Sequence, residues 1–370
     1  MSIDIAAWGW DEHWDATLRA AAAGGRMSDR LVPGRVIADS RGMFQVAAAG
    51  GIAWSRPTGK LWSRIADTPE VPVTGDWVLV EPDGRSDAWP LAEVLPRRSR
   101  LSRQSPTDER HAAREQVLAA NVDLLLMVFG LDGGRNFTER GLERLATIAW
   151  QSGAVPVVVL NKADLAEDLE LAELRAREAA PGVEVVATSA VAEGGLDALG
   201  ALLQPGRTAV LTGRSGVGKS SIINRLVGEE LLATQASRED DLRGRHTTSA
   251  RRMIRLTTGA LLIDTPGLRT LGLWAGADAL DDTFADIASL AEGCRFADCA
   301  HRGEPGCAVQ QALAEGALDP ARYESYLALQ RELRFLESRQ DVRVQLAEKS
   351  RMKALAKRIR EHYRDSGKRG

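Results

Sequence analysis

The sequence predicts a multidomain α/β protein: a small N-terminal β-barrel, a mostly parallel sheet covered by helices, and a helical C-terminal segment built round a cluster of Cys and His. Three observations predict it. Short strand-like runs separated by Gly, Pro, Asp and Ser fill residues 34–101, strand and helix patterns alternate from 122 to 212, and Cys294, Cys299 and Cys307 are the only cysteines in the chain. At roughly 150 residues per domain, 370 residues allow two or three domains, each with its own core. With 44% apolar and 27% charged residues, the composition excludes global disorder.

Residues 1–30 contain Ala20-Ala21-Ala22-Ala23-Gly24-Gly25 and few periodic apolar positions, the pattern of a peripheral helical extension and a linker. Strand-like runs at 35–38, 43–47 and 76–80 then suggest an OB-type β-barrel over residues 31–103. Such barrels bind nucleic acid on their strand face, although a barrel with a packing role alone fits the same pattern. Past Arg97-Arg98-Ser99-Arg100 the texture changes to strands at 122–129, 155–160, 183–187 and 208–212, alternating with helices at 138–151, 166–180 and 196–203. Alternation of this kind places ligands at the carboxyl ends of parallel strands. It assigns residues 104–277 to a central α/β domain and 278–370 to a helical one.

Gly213-Arg214-Ser215-Gly216-Val217-Gly218-Lys219-Ser220 matches G-x-x-x-x-G-K-[ST] and lies between a strand and a helix that begins near Ser221. Glycines let backbone N–H groups turn towards phosphate oxygens, and the helix N-terminus adds its dipole. Lys219 would reach the β- and γ-phosphates, and the Ser220 hydroxyl would bind Mg²⁺.

Asp264-Thr265-Pro266-Gly267 follows an apolar strand, so Asp264 can hold Mg²⁺ through water and Gly267 can offer its N–H to a γ-phosphate. Asn161-Lys162-Ala163-Asp164 also ends a strand. A carboxylate at Asp164 accepts from the paired donors of guanine, which adenine lacks, and this selects GTP and GDP. Ser189 and Ala190 close another strand and bring a backbone N–H near the guanine carbonyl. These are the elements of a Ras-like P-loop GTPase in rotated order: NKxD, Ser-Ala, phosphate loop, first switch, DxxG. The expected fold is therefore a circularly permuted GTPase domain. Permutation keeps the pocket, because strand ends rather than chain order define it, but it joins DxxG directly to the Cys/His segment. The corresponding expectation is that γ-phosphate-dependent movement of residues 264–272 repositions the C-terminal domain.

On these motifs, residues 31–340 resemble the RsgA-type family of circularly permuted GTPases, which act on the small ribosomal subunit. The resemblance implies ribosome-stimulated GTP hydrolysis late in small-subunit maturation, with nucleotide state controlling release, and partners that are the small subunit and its rRNA. A GTP-dependent switch for another RNA or protein partner, and an RNA-binding scaffold with a nearly inactive nucleotide site, are the alternatives. Many Ras-like proteins orient the attacking water with a Gln after DxxG, where this chain has Leu268. His246, in Gly244-Arg245-His246-Thr247-Thr248, is the candidate substitute, and the family pattern favours Thr248 over Thr247 as the second Mg²⁺ ligand.

Cys294, Cys299, His301 and Cys307 supply three thiolates and one imidazole, the closed donor set of a structural Zn²⁺ site. An odd, clustered cysteine set also argues against a disulfide framework. Between residues 342 and 370 ten Lys or Arg face three acids, so a basic tail of +7 offsets a body of −10 and leaves the net charge at −3. Leu346, Met352, Leu355 and Ile359 have helical spacing, and with the basic residues between them the tail reads as a helix that is either a charged solvated one or, as the resemblance favours, laid against rRNA phosphates. No apolar run approaches the about 18 residues of a membrane helix, and residues 1–14 lack a secretory pattern. A cytoplasmic monomer is expected.

Overall fold

The computed structural model describes the whole chain except residues 1–2, 24–27, 29, 41, 67, 83–87, 105–114, 134–135, 229–250, 265–270, 272, 274–277 and 337–370. The chain opens with a 3₁₀ turn over Ile5–Trp8, whose N-cap is Asp4, and helix α1 (Glu12–Ala23). The helix expected within residues 1–30 is present and largely exposed, yet single aromatic side chains tie the extension to the barrel. Trp14 is 1% exposed and packs against Trp77 of the barrel and beneath the Arg98 guanidinium. Trp10 and Trp14, four residues apart, both meet the Trp77 ring, so a few large rings rather than a continuous apolar stripe hold the segment down.

Strands β1 (Val32–Ser40), β2 (Met43–Ala48), β3 (Gly51–Pro57), β4 (Trp77–Val80) and β5 (Trp89–Val94) form the barrel, with α2 (Gly59–Ile65) after β3. The pairings β1–β2, β2–β3, β3–β5, β5–β4 and β4–β1 close it. Alternate positions Val36, Phe44, Val46, Val78, Val80 and Leu91 fill its interior together with Leu61 and Ile65 of α2. The register of β1 against β2 shifts between Val36 and Ala38. Residues Val32–Arg35 pair with β4, whereas Ala38 and Asp39 beyond the shift pair with Arg252 and Arg251. One bulged strand thus serves two sheets.

A ribbon of β6 (Arg100–Gln104) and β7 (Glu115–Ala120) leads into the central domain. Its strands are β8 (Leu124–Gly130), β9 (Val155–Asn161), β10 (Glu184–Thr188), β11 (Thr208–Thr212), β12 (Arg251–Arg255) and β13 (Leu261–Asp264), in spatial order β10-β9-β8-β11-β13-β12. The first five in that order are parallel, and edge strand β12 is antiparallel to β13. Strand β8 is buried throughout because period-two alternation sends Leu125, Met127 and Phe129 into one core and Leu124, Leu126 and Val128 into the other.

Helix α3 (Glu139–Ser152) is capped by Thr138, which accepts from the Gly141 N–H, and it ends at left-handed Gly153. Helix α4 (Leu169–Ala179) starts three residues later than the sequence pattern suggests, because Asp168 caps it and residues 163–165 form a separate 3₁₀ turn. Helices α5 (Asp197–Leu202) and α6 (Lys219–Val227) cover the other face. The C-terminal part contains α7 (Asp278–Thr283), α8 (Ala285–Glu292), α9 (Ala308–Ala314) and a helix over 320–336, here α10. Its apolar residues Leu280, Phe284, Ile287, Val309, Leu329 and Leu333 join the α3 face of the central core. Among the described residues no helix is long and apolar enough to cross a membrane.

Two arginines, one buried and one largely so, lock the parts together. Arg35 of β1, fully enclosed, donates to the carbonyls of Trp8, Gly75 and Asn121 and to Thr208 Oγ1, joining extension, barrel and central sheet. Burial lowers its pKa to about 10, still well above neutrality. Arg322 of α10 reaches Asp286 of α8, Glu143 of α3 and the carbonyls of Ala179 and Thr283.

Candidate functional site

The loop between β11 and α6 needs its glycines. A Cβ on Gly213, at φ +145°, would lie 2.3 Å from the Val128 carbonyl oxygen, and one on Gly218, at φ +96°, would lie 2.2 Å from Asn161 Nδ2. The loop therefore wraps close over the ends of β8 and β9. Val217 is fully buried beneath it, and Lys219 Nζ donates to the carbonyls of Gly213 and Arg214 at 2.8 and 2.6 Å. Arg214, Ser215 and Gly216 are exposed, while Ser220 and Ser221 sit in the first turn of α6.

Asn161, at the end of β9, is buried and braces two elements. Its Nδ2 donates to the Val217 carbonyl at 2.8 Å, and its Oδ1 accepts from Thr188 Oγ1 at 3.1 Å. The side chain thus ties phosphate loop, β9 and β10 into one unit. Asp164 Oδ1 accepts from Ser189 Oγ at 2.5 Å, which presents the two strand-end motifs side by side with Ala190 half-buried next to them. Lys162, at φ +62°, directs its ammonium to Asp132, a residue the motif reading passed over because it lies in no recognised pattern. Asp264 ends β13, and burial pushes its carboxyl above the ordinary value, so a nearby cation would relieve the cost of its charge. Gly267, Leu268, His246, Thr247 and Thr248 lie outside the described residues.

The Cys/His cluster lies between α8 and α9, and the donor atoms of Cys294, Cys299, His301 and Cys307 are all within 4.8 Å of one another. A tetrahedral ion with bonds of about 2.3 Å to sulfur and 2.0 Å to nitrogen separates two sulfurs by about 3.8 Å and sulfur from nitrogen by about 3.5 Å. The Cys294 and Cys307 sulfurs stand 3.9 Å apart, and each is 3.5 Å from His301 Nδ1. The residues therefore fit such an ion. Burial lowers the His301 pKa and favours the neutral imidazole that a metal needs.

Three residues outside the motif shape this knuckle. The Tyr323 hydroxyl and Gln310 Nε2 donate to the carbonyl of His301, which sits at φ +58°. Glu304 accepts from the N–H groups of Ala300 and Arg302. Only Glu304 lies within the motif's span, and nothing in the spacing singles it out.

A phosphate loop and two base-side motifs meet at the carboxyl ends of parallel strands, in an order where the loop follows the base-side motifs, on a sheet whose edge strand carries a barrel. That combination defines a circularly permuted GTPase with two appended domains. Residues 94–274 match the sequence profile of the RsgA GTPase family. The small ribosomal subunit biogenesis GTPase RsgA of Streptomyces coelicolor is 42% identical over 342 residues, covering 92% of this chain and 89% of that protein. The chain belongs to the RsgA GTPase family. The fold is likewise that of YjeQ from Thermotoga maritima, with a TM-score of 0.62 at 24% identity over 82% of this chain and 98% of that one. It is also that of YloQ, described as a circularly permuted GTPase, with a TM-score of 0.57 at 24% identity over 84% and 98% of the two chains.

Proposed function

We propose that this protein hydrolyses GTP to GDP and phosphate during biogenesis of the small ribosomal subunit, and that nucleotide state controls its release from the subunit. The observation that carries this reading is the convergence of Gly213–Ser220, Asn161–Asp164 and Ser189–Ala190 at one set of strand ends, in a chain 42% identical to a relative of that name. In this reading Asp164 and the Ser189–Ala190 backbone recognise guanine, while Asn161 holds the base side against the phosphate loop. The loop amides and Lys219 bind the phosphates. Ser220 and Thr248 would ligate Mg²⁺ and Asp264 would hold it through water, where it would supply neutralisation of phosphate charge. His246 orients the attacking water, since Leu268 cannot, and Gly267 offers its N–H to the γ-phosphate.

Cys294, Cys299, His301 and Cys307 would hold Zn²⁺ in a structural role, because four protein donors would leave no position for a catalytic water. The barrel and the basic tail contact rRNA. The test is the GTPase rate with and without purified small subunits. Stimulation by subunits, and subunit binding that changes between GDP and a GTP analogue, are expected. An unstimulated rate together with nucleotide-independent binding would overturn the assignment.

A further inference from the structure

Strands β8 and β9 run parallel with Gly130 beside Asn161, and the Leu131 N–H donates to the Asn161 carbonyl at 2.9 Å. This register brings the residue after each strand end to the other's side. Asp132 Oδ2 accepts from Lys162 Nζ at 2.5 Å, and Asp132 Oδ1 accepts from Asn136 Nδ2 at 3.0 Å. Both carboxylate oxygens are thus engaged. A Cβ on Gly130 would come within 3.0 Å of Asp132 Oδ1 and 3.5 Å of Val217 Cα, so the same corner abuts the phosphate loop.

Lys162 lies between Asn161 and Asp164, and its backbone is left-handed, a conformation that a non-glycine residue holds only when its surroundings impose it. A lysine stem has four rotatable methylenes, and the position of its ammonium decides where the stem lies. An exposed ion pair would contribute little. Here Asp132 lies at the surface, but the paired side chains of Lys162 and Asp132 keep only 26% and 25% of their exposure, so the geometry of the pair rather than burial sets its effect. The bond from Lys162, followed by that from Asn136, keeps the Asp132 carboxyl below its ordinary range and hence charged.

We infer that Asp132 is a positioning residue for guanine-nucleotide binding: it fixes the Lys162 ammonium so that the lysine stem is pre-arranged along the base side of the pocket. The inference rests on the GTP-binding reading above. Because Asp132 acts on the base side, away from the γ-phosphate motifs, it stabilises bound GDP and GTP equally.

The test measures dissociation of fluorescent GDP and of a fluorescent GTP analogue from the full-length wild type and from Asp132→Ala, Asp132→Asn, Lys162→Met and the double variant. Asp132→Ala should speed release of both nucleotides about tenfold, equivalent to about 1.4 kcal/mol. Asp132→Asn, which keeps the shape and one acceptor, should fall between it and wild type. The double variant should release nucleotide no faster than Lys162→Met alone, a coupling that a merely structural Asp132 would not show. Equal release from wild type and both Asp132 variants, or additive effects in the cycle, would overturn the role of Asp132 while leaving GTP binding intact. A wild type that binds no guanine nucleotide would remove both readings.

Discussion

Replacing Arg322 with Ala should loosen the C-terminal helices from the central domain. The Arg322 side chain is 10% exposed and meets Glu143, itself 4% exposed, at 3.0 Å. It also grips Asp286 through two bonds of 2.6 and 2.7 Å and donates to two carbonyls at 3.0 and 3.1 Å. Removing one partner of a buried pair leaves the other charge without compensation, at a cost of about 3–5 kcal/mol. At about 1.4 kcal/mol per decade, opening of α10 should rise by roughly two to four orders of magnitude. Native-state hydrogen exchange of the amides over 320–336 reads this directly and avoids assuming two-state unfolding in a multidomain chain. Arg144→Ala is the internal control. Its pair with Glu332 is 39% exposed on both sides, so it should cost no more than about 1 kcal/mol. The pH dependence has a definite sign. Burial raises the Glu143 pKa above its ordinary value of 4.5, so stability from its neutral form is complete below that value and is lost as pH rises through the raised one. Without Arg322 the raised value climbs further, so the variant's deficit should grow from acid towards neutral pH. Equal exchange in the two variants, or a deficit that does not change with pH, would refute the reasoning.

Gly218→Ala should weaken GDP binding by at least about 30-fold, because a left-handed alanine costs about 1–2 kcal/mol and its Cβ displaces Asn161 Nδ2; titration with fluorescent GDP checks this, and affinity within about twofold of wild type would contradict it. His246→Ala should lower subunit-stimulated turnover by about 10²-fold or more with nucleotide affinity retained, and unchanged stimulated turnover would remove His246 from the mechanism. Native mass spectrometry should find one Zn²⁺ per chain. Its removal by a chelator should open residues 294–314 to protease before the barrel, since a structural ion of this kind contributes folding energy directly.

Much of this was legible in residue order because motif chemistry and strand-end position are both local. The phosphate loop lies between β11 and α6, and Asn161 and Thr188 end β9 and β10, at the junctions where the apolar runs stop. The four cluster residues converge as their spacing suggests, since 14 residues contain their own turns. What escaped notice depends on long-range partners. Arg35 reads as a strand residue among others, and its role appears only when carbonyls of Trp8, Gly75 and Asn121 surround it. Arg322 is one basic residue in a helical run until α3 and α8 supply carboxylates. Trp8 and Trp14 are buried by partners distant in sequence, Arg255 over Trp8 and Trp77 and Arg98 against Trp14.

Permutation explains why the attachments fall where they do. The pocket depends on which strands are adjacent, and β10-β9-β8-β11-β13 preserves that adjacency whatever the chain order. Chain order instead decides what each strand is covalently and laterally joined to. Strand β12, which follows the first-switch segment, pairs through Arg251 and Arg252 with Asp39 and Ala38 of the barrel, and Arg251 forms an ion pair with Asp39 at 3.5 Å. Strand β13 ends at Asp264, and the chain runs on to α7, where Thr283 Oγ1 meets Thr147 Oγ1 of α3 at 3.0 Å. Of the two strands that flank the γ-phosphate motifs, β12 thus pairs with the barrel and β13 is the one from which the chain runs on to the C-terminal helices. In an unpermuted order the segment after DxxG would lead back into the sheet; here it ends the domain, and the Cys/His knuckle is built on it.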